Sequence, residues 1–444
     1  MKKTFSKGGV HPRDNKLSAD SPIEDFPVLD KAYISMSQHI GAPAKPIVAV
    51  GDKVKVGQLI AEAGGFISAN IHSSVSGTVS AIEPFADMVG NKVMHIIIDV
   101  EGDEWVDTID RTPDIVRDIT LSPQEIIKRI GDCGIVGMGG ASFPTNVKLS
   151  PPPGKKADYL IINGSECEPY LTSDYRLMLE YPEQILIGAK IMMKALGVTK
   201  GFVGIEDNKK KAIDVMKSFS ASYPDIEIVT LKKKYPQGGE KQLIDAITGR
   251  KVPSKGLPID AGVVVQNCGT SFAVYEAVQK NKPLFEGIVT VTGDCSEQRR
   301  NIRLRVGTQY DKLLLSLGRL PKDAAKFISG GPMMGKAVSN LMAASVKSTS
   351  SLLVLTESQT KRRPEGECIR CGKCVQACPM GLEPYLLNKL SRAGRMDELE
   401  ANKVYDCIEC GCCMYTCPAY IPLLDYIRLG KAEVMKIMRS RPKK

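Results

Sequence analysis

Eight cysteines near the carboxyl end constrain this chain more than any other feature. Cys368-Ile-Arg-Cys371-Gly-Lys-Cys374-Val-Gln-Ala-Cys378-Pro379 has the spacing C-x2-C-x2-C-x3-C-P. Cys407-Ile-Glu-Cys410-Gly-Cys-Cys413-Met-Tyr-Thr-Cys417-Pro418 repeats it in full. This is the ligand spacing for two 4Fe-4S cubanes. Three thiolates two residues apart let one tight loop reach three corners of a cubane. The fourth begins a helix that crosses to the other cluster. One cluster is therefore assigned Cys368, Cys371, Cys374 and Cys417, and the other Cys407, Cys410, Cys413 and Cys378. Cys412 occupies a spacer position and is not a ligand in this reading. Zinc and disulfides compete for such thiols, but two complete copies of this spacing favour iron and sulfide.

The insert from 381 to 406 carries a helical pattern (Leu386, Leu387, Leu390), so 361–444 is predicted to be an α-helical ferredoxin domain. Of 13 cysteines in the chain, Cys133, Cys167, Cys268 and Cys295 stand alone and are expected as buried thiols. The four histidines are scattered without metal spacing.

The longest apolar runs, such as Ala261–Val265 and Leu352–Leu355, are strand-length, far below the ~18 residues of a spanning helix. The opening Met-Lys-Lys-Thr-Phe-Ser-Lys-Gly-Gly has no apolar segment behind its charges, so a signal peptide is not expected. The expectation is a cytoplasmic chain whose membrane association is peripheral. The net charge of +10 suits anionic nucleotides, acidic electron carriers or an anionic membrane surface. The basic tail Tyr426–Lys444 is expected to be a solvated helix with a frayed end.

Residues 1–30 read as an extended arm. In 31–110, Val48–Ala61 alternates apolar and polar residues around a Gly-Asp turn, and Ser74–Ile82 repeats the idea. Together they are similar to the two halves of a lipoyl- or biotinyl-type barrel sandwich. Such carriers present a modifiable lysine between the halves. No Lys occurs here between Lys55 and Lys92, so a structural or docking role is expected. From about 120 to 280 helices and strands alternate, which predicts an α/β domain with a mainly parallel sheet. Ser122-Pro-Gln-Glu opens a helix, and Tyr159–Asn163 is a buried strand. Residues 285–355 return to strands with one helix near Thr308–Leu317, which resembles a small β-grasp unit. The fold class is thus multidomain α/β.

Four segments of the α/β region look chemical. The loop Cys133–Lys148 holds Gly137, Gly139 and Gly140, whose backbone can approach a phosphate or a flat ring. It is not G-x-G-x-x-G, so the Rossmann fingerprint fails. Asn163-Gly-Ser-Glu166-Cys-Glu168-Pro169 puts carboxylates at a strand's carboxyl end, where α/β proteins bind ligands. Tyr235-Pro-Gln-Gly238-Gly239-Glu240 is again Gly-rich with one carboxylate, and Val264–Thr270 runs a strand into a polar turn at Asn267.

In this order the four segments resemble the flavin- and NADH-binding subunit of respiratory complex I. The chain as a whole is more similar to the RnfC subunit of the Rnf complex, an ion-translocating ferredoxin:NAD oxidoreductase. That likeness takes in Thr4-Phe-Ser-Lys-Gly-Gly-Val-His-Pro12, Gln38-His-Ile-Gly-Ala-Pro-Ala44, Gly330-Gly-Pro-Met-Met-Gly335 and both cysteine motifs. The resemblance implies FMN, NAD(H) and two 4Fe-4S clusters. It implies that Gly137, Gly139, Gly140 and Lys148 cradle FMN, with Gly238 also in the cofactor set. Asn163 and Glu166 would hold the flavin ring and ribityl chain, and Asn267 would lie near its phosphate end. Phe143, Glu168 and Glu240 would face NADH. It implies a place on the cytoplasmic face of the cell membrane, with other subunits of a membrane redox complex and a ferredoxin or ferredoxin-like subunit as partners. Nucleic acid is not an expected partner. Three positions depart from the complex I pattern: Met138 stands for an Arg, Ser165 for an Asp and Gly239 for a Glu.

The chemistry follows from an electron count. NADH delivers a two-electron hydride and a cluster accepts one electron, so a flavin must stand between them. Two alternatives share these modules. A cobalamin reductase would be separated by testing cob(III)alamin reduction, and a non-enzymatic relay scaffold by the absence of flavin bleaching with NADH.

Overall fold

The computed structural model describes residues 2–294, 298–318 and 323–441. Cys295 and the last three residues of the tail lie outside the described residues.

The N-terminal module is a sandwich of two small antiparallel sheets. One orders Lys31–Ser35, Lys92–Val100, Gly77–Ala86 and Lys53–Val54, and the other Lys45–Pro46, Leu59–Glu62 and Ile71–His72. Alternate residues of both sheets meet in one core that includes Ile34, Ile60, Ile71, Val79, Ile96 and Ile98.

The central module is built on four parallel strands, in the order Ile226–Leu231, Lys200–Glu206, Tyr159–Asn163 and Val263–Asn267. The inner strand Tyr-Leu-Ile-Ile-Asn is apolar on both faces because helices cover both faces. Each fully buried Ile or Leu there contributes roughly 1.5–3 kcal/mol. The helix Pro123–Asp132 starts as expected, with a Ser122/Glu125 capping box and Pro in its first turn. The buried helix Pro182–Leu196 crosses Cys268–Gln279 closely at Gly188, where a Cβ would sit 1.9 Å from the Ser271 carbonyl oxygen. Chain order reverses between Tyr159–Asn163 and Val263–Asn267, which opens a crevice at their carboxyl ends.

A third sheet has six strands: Ile23–Asp25, Arg300–Arg305, Glu286–Thr292, Ser351–Thr356, Ala324–Ser329 and Lys336–Ala337. Its helix Tyr310–Ser316 packs Tyr310 and Leu313 into the core with Val289, Ile302 and Leu352. The N-terminal arm is not a free extension. It lends Ile23–Asp25 to this sheet, bridges the central sheet from Lys3 to Leu231, and pairs Val10 with Tyr235.

The carboxyl-terminal module is helical, as its insert predicted. Pro384–Arg392, Met396–Ala401 and Leu423–Ser440 enclose Leu387, Leu390, Leu399, Ile427 and Val434. The amphipathic tail helix therefore packs inward through Ile427 and Val434. Among the described residues no helix is long and apolar enough to cross a membrane.

Candidate functional site

Asn163 and Asn267 end adjacent strands in register, at the point where the chain order reverses. The Asn267 Oδ1 accepts from the Gly269 amide at 2.7 Å and the Thr270 amide at 3.3 Å, capping the helix Cys268–Gln279. Its Nδ2 donates to Asp174 at 2.7 Å. Asn163 donates through Nδ2 to the Gly238 carbonyl at 2.9 Å, and its Oδ1 accepts from the Ser165 amide at 3.1 Å.

The glycine loop lies over the start of the same helix. The Met138 amide donates to the Thr270 hydroxyl at 2.9 Å, and Gly137 closes the loop on the Phe143 carbonyl at 2.8 Å. Gly139 has φ +74°, and a Cβ there would lie 3.0 Å from the Asn267 Nδ2, so a side chain is doubly disfavoured. At Gly140 a Cβ would meet only open space. Phe143 is half-buried at the loop's far end. Lys148 forms an ion pair with Glu240 at 2.6 Å, joining the end of Thr145–Lys148 to the start of Glu240–Thr248. Gly137, Gly139, Lys148, Asn163, Gly238, Glu240 and Asn267 are thus linked by a continuous chain of contacts.

The acidic segment is held from behind by two lysines that sequence reasoning missed, Lys16 half-buried and Lys209 buried. Lys16 donates to the carbonyls of Glu166, Glu168 and Leu171, and burial lowers its pKa to about 8. Lys209 donates to the Ser165 carbonyl at 2.7 Å. Nothing local in the arm marks Lys16 for this task. Glu166, at φ +45°, accepts from the Asp174 amide at 2.8 Å through Oε1. Burial, reinforced by the Glu166 charge, pushes the Asp174 carboxyl up to about 7. Glu166 Oε2 and the hydroxyl of fully buried Ser165 have no hydrogen-bond partner. Glu166 Oε2 is only loosely paired, with the Lys16 ammonium at 3.8 Å, and these acceptors, together with the open face at Gly140, suit a ligand that brings its own donors, as FMN does with its ring imide and ribityl hydroxyls.

Glu168 is placed differently from a free carboxylate. Its two oxygens accept from the Met333 amide at 3.0 Å and the Met334 amide at 2.8 Å. Burial raises its pKa to about 7 against the pull of those two amides. A Cβ at Gly331 would stand 2.2 Å from its Oε2, so Gly330-Gly-Pro-Met-Met-Gly335 is glycine-rich to admit this carboxylate. Of the departures from the complex I pattern, Gly239 is the tightest. A Cβ there would meet Gln242 Oε1 at 2.5 Å, the end of a flexible side chain that could turn aside.

A space in the helical module is lined by Cys378, Cys407, Cys410 and Cys413, the quartet assigned to one cluster, and also by Cys412. Its other walls are mainly apolar, among them Leu382, Leu387, Leu424 and Ile427. The sulfurs surround the space and do not converge: among the described residues no group of three or more His, Cys, Asp or Glu could hold a metal ion. A cubane, which takes one sulfur at each iron, asks for such a spread set. Both motif loops bend alike, with positive φ at Arg370 and Gly372 in one and at Glu409 and Gly411 in the other. In the other quartet Cys374 and Cys417 are half-buried neighbours, while Cys368 and Cys371 are exposed. Cys412 is fully buried and its thiol points to the Tyr235 carbonyl at 3.8 Å. Cys133 and Cys268 are buried, as expected, and Cys167 is half-buried.

The two sites touch. The Tyr235 hydroxyl donates to the Cys410 carbonyl at 2.9 Å, and Gly9 donates to the Ala377 carbonyl at 2.9 Å. A glycine loop at the reversal of a parallel sheet, docked on a helical module with repeated ferredoxin motifs, defines an iron–sulfur protein with a flavin-type site.

Comparison with known proteins narrows this class. The family described as "Nuo51 FMN-binding domain" matches residues 130–276, "RnfC Barrel sandwich hybrid domain" matches 3–103, and "4Fe-4S dicluster domain" matches 360–418. The C subunit of the proton-translocating ferredoxin:NAD(+) oxidoreductase complex of Clostridium ljungdahlii is 48% identical over 98% of this chain and 94% of its own length. The Na(+)-translocating counterpart of Acetobacterium woodii is 44% identical over 98% of each chain. The C subunit of the ion-translocating oxidoreductase complex of Rhodobacter capsulatus is 41% identical over 88% of this chain and 76% of its own. Among solved structures, an NAD+-reducing [NiFe]-hydrogenase in the H2-reduced state matches 76% of this chain and 70% of its own, with TM-score 0.50 and 17% identity, which is a likeness of fold alone. The chain belongs to the RnfC family, the C subunits of ion-translocating ferredoxin:NAD(+) oxidoreductase (Rnf) complexes.

Proposed function

We propose that this chain is the NADH/FMN/iron–sulfur electron-transfer subunit of a membrane-bound, ion-translocating ferredoxin:NAD oxidoreductase. One observation carries the reading: the loop that holds Glu240 of the flavin-type site also holds Tyr235, which is hydrogen-bonded to Cys410 of a cluster quartet. Flavin site and cluster site therefore share a wall.

Bound FMN would supply the conversion between hydride and single electrons, and two bound cubanes would carry those electrons one at a time. The residues do the rest by position and charge. The backbone of Gly137, Gly139 and Gly140 and the ammonium of Lys148 would cradle the flavin. Asn163 and Glu166 hold its ring and ribityl chain, and Gly238 and Asn267 complete the cradle. Phe143, Glu168 and Glu240 meet the nucleotide. Each Glu168 oxygen keeps a lone pair after accepting its backbone amide, so it can also bind a ribose hydroxyl. Glu240 exchanges its Lys148 partner for the nucleotide. Cys368, Cys371, Cys374 and Cys417 hold one cubane, and Cys407, Cys410, Cys413 and Cys378 the other.

The third sheet is a β-grasp unit in this reading. Its last strand, Ser351–Thr356, lies between Glu286–Thr292, to which it is parallel, and Ala324–Ser329, to which it is antiparallel. The modules divide near 31–110, 120–280, 285–355 and 361–444, with the arm before them. The protein sits peripherally on the cytoplasmic face, beside the other subunits and a ferredoxin-type donor or acceptor.

Anaerobic reconstitution with iron, sulfide and FMN tests the proposal. We expect about eight iron atoms per chain and bleaching of the flavin absorbance on adding NADH. Intact clusters without bleaching would support a passive relay scaffold instead.

A further inference from the structure

The barrel-sandwich module has no part in the chemistry above, yet it is bolted to the glycine loop. We propose that the tip of its hairpin, residues 64–67, forms one wall of the dinucleotide site and that Phe66 stacks on the adenine ring. The proposal rests on the reading that this site takes NADH.

Carrier proteins of this architecture display a lysine between their two halves. Here the connection from Leu59–Glu62 to Ile71–His72 reads Ala63-Gly-Gly-Phe66-Ile67-Ser68 and holds no lysine. Phe66 is 83% exposed, the most of any large hydrophobic among the described residues. It is not exposed because the tip is loose. A Cβ at Gly64 would lie 2.1 Å from the Pro43 carbonyl oxygen, and one at Gly41 would lie 2.0 Å from that of Ile67. The Ala42 amide donates to the Ile67 carbonyl at 3.0 Å, and Ser68 Oγ donates to the Ala42 carbonyl at 2.8 Å. The tip is pressed onto segment 41–43, which holds Phe66 outward.

That same segment reaches the glycine loop. The Ile40 amide donates to the carbonyl of Ser142, the residue before Phe143. At the hairpin's base, the buried Lys347 donates to the Asn70 carbonyl at 2.6 Å and to the Gly134 carbonyl at 2.7 Å. Ala69 packs in the central hydrophobic core. Hairpin and glycine loop are therefore one rigid unit joined at two points, and the loop is open to solvent at Gly140. An aromatic side chain held in water on a tip braced, through segment 40–43, against the Ser142 carbonyl suits a flat base. Stacking of a base on an aromatic side chain is worth about 1–3 kcal/mol. The adenine is remote from the reacting nicotinamide, so this energy serves binding and leaves the chemical step unchanged.

The test uses the reconstituted, flavin-loaded full chain with NADH, with reduced nicotinamide mononucleotide, which lacks the adenosine half, and with ADP-ribose as a non-reacting probe. Phe66→Ala should raise KM for NADH about fivefold or more with kcat unchanged. It should weaken ADP-ribose binding by the same factor in calorimetry and leave KM for the mononucleotide unaltered. Phe66→Tyr should restore both. Unchanged NADH and ADP-ribose values would overturn the proposal, and so would equal losses for NADH and the mononucleotide. Unaltered nucleotide kinetics with weakened association to the other subunits would also overturn it, making Phe66 a protein contact. If neither nucleotide bleaches the flavin of the unsubstituted protein, the NADH reading itself fails and this inference falls with it.

Discussion

Glu168 Oε1 accepts a hydrogen bond from the Met334 amide at 2.8 Å, so a carboxylate from the carboxyl end of a central strand pins the third sheet to the central module. Its second oxygen does the same for Met333. The pair explains why a conspicuous Gly-Gly-Pro-Met-Met-Gly segment far along the chain accompanies the acidic motif. The segment supplies two amides and, at Gly331, the room for the carboxylate to reach them.

Replacing Glu168 by Gln keeps the shape and exchanges one acceptor oxygen for an NH2 group. One of the two amides then faces a donor, which costs about 1–3 kcal/mol. The denaturation midpoint should fall accordingly. A midpoint equal to that of the unsubstituted chain would mean that the contact has no structural weight.

Asn267→Ala removes the cap of Cys268–Gln279 and the partner of Asp174 together. Loss of an Asn cap costs about 0.5–2 kcal/mol. Because the glycine loop rests on the first turn of that helix, the variant should also retain less FMN after gel filtration. Flavin absorbance per chain is the measurement, and full retention would count against the placement of the flavin here.

Cys378→Ala and Cys412→Ala should behave oppositely. Cys378 lines the same space as Cys407, Cys410 and Cys413; Cys412 borders that space too, but its thiol is directed at the Tyr235 carbonyl. The first variant should lose about half of the iron and one cubane's spectroscopic signal, and the second should keep about eight iron atoms. Iron and acid-labile sulfide assays decide between them. Loss of iron in Cys412→Ala alone would reverse the ligand assignment.

Lys347 makes stability depend on pH. It is fully buried against carbonyls, and burial lowers its pKa from 10.5 to about 7. Between those values the unfolded chain binds more protons than the folded one, so stability rises with pH across that window, by at most roughly 1.4 kcal/mol per unit. Thermal denaturation of the unsubstituted chain from pH 7 to 10 should contain this rising component, and Lys347→Met should lack it. Parallel profiles for the two proteins would contradict the burial of an uncompensated ammonium.

Much of the architecture was legible because its signals are local. Tyr159–Asn163 was readable at both ends from one unbroken apolar run, and the Ser122/Glu125 cap from a four-residue pattern. The arm was read as an extended segment, and the surfaces it docks on were not legible. Its strand Ile23–Asp25 gains its hydrogen bonds only from Arg300–Arg305, which no local pattern announces. Glu168 was legible as a site residue but not as a pin, since its partners stand 165 and 166 positions away.

By itself the sequence determined the repeated cysteine spacing and which segments carry glycine, amide and carboxylate groups, because cluster loops, caps and strand ends are set by spacing over a few residues. Tertiary structure alone decided that Asn163 stands beside Asn267, that Tyr235 meets Cys410 across 175 positions, and that Lys347 clamps Asn70 to Gly134 across 277. Those contacts depend on which sheets and helices pack face to face. That choice is made by the burial of whole surfaces, whose energy is spread over the chain and written at no single place in it.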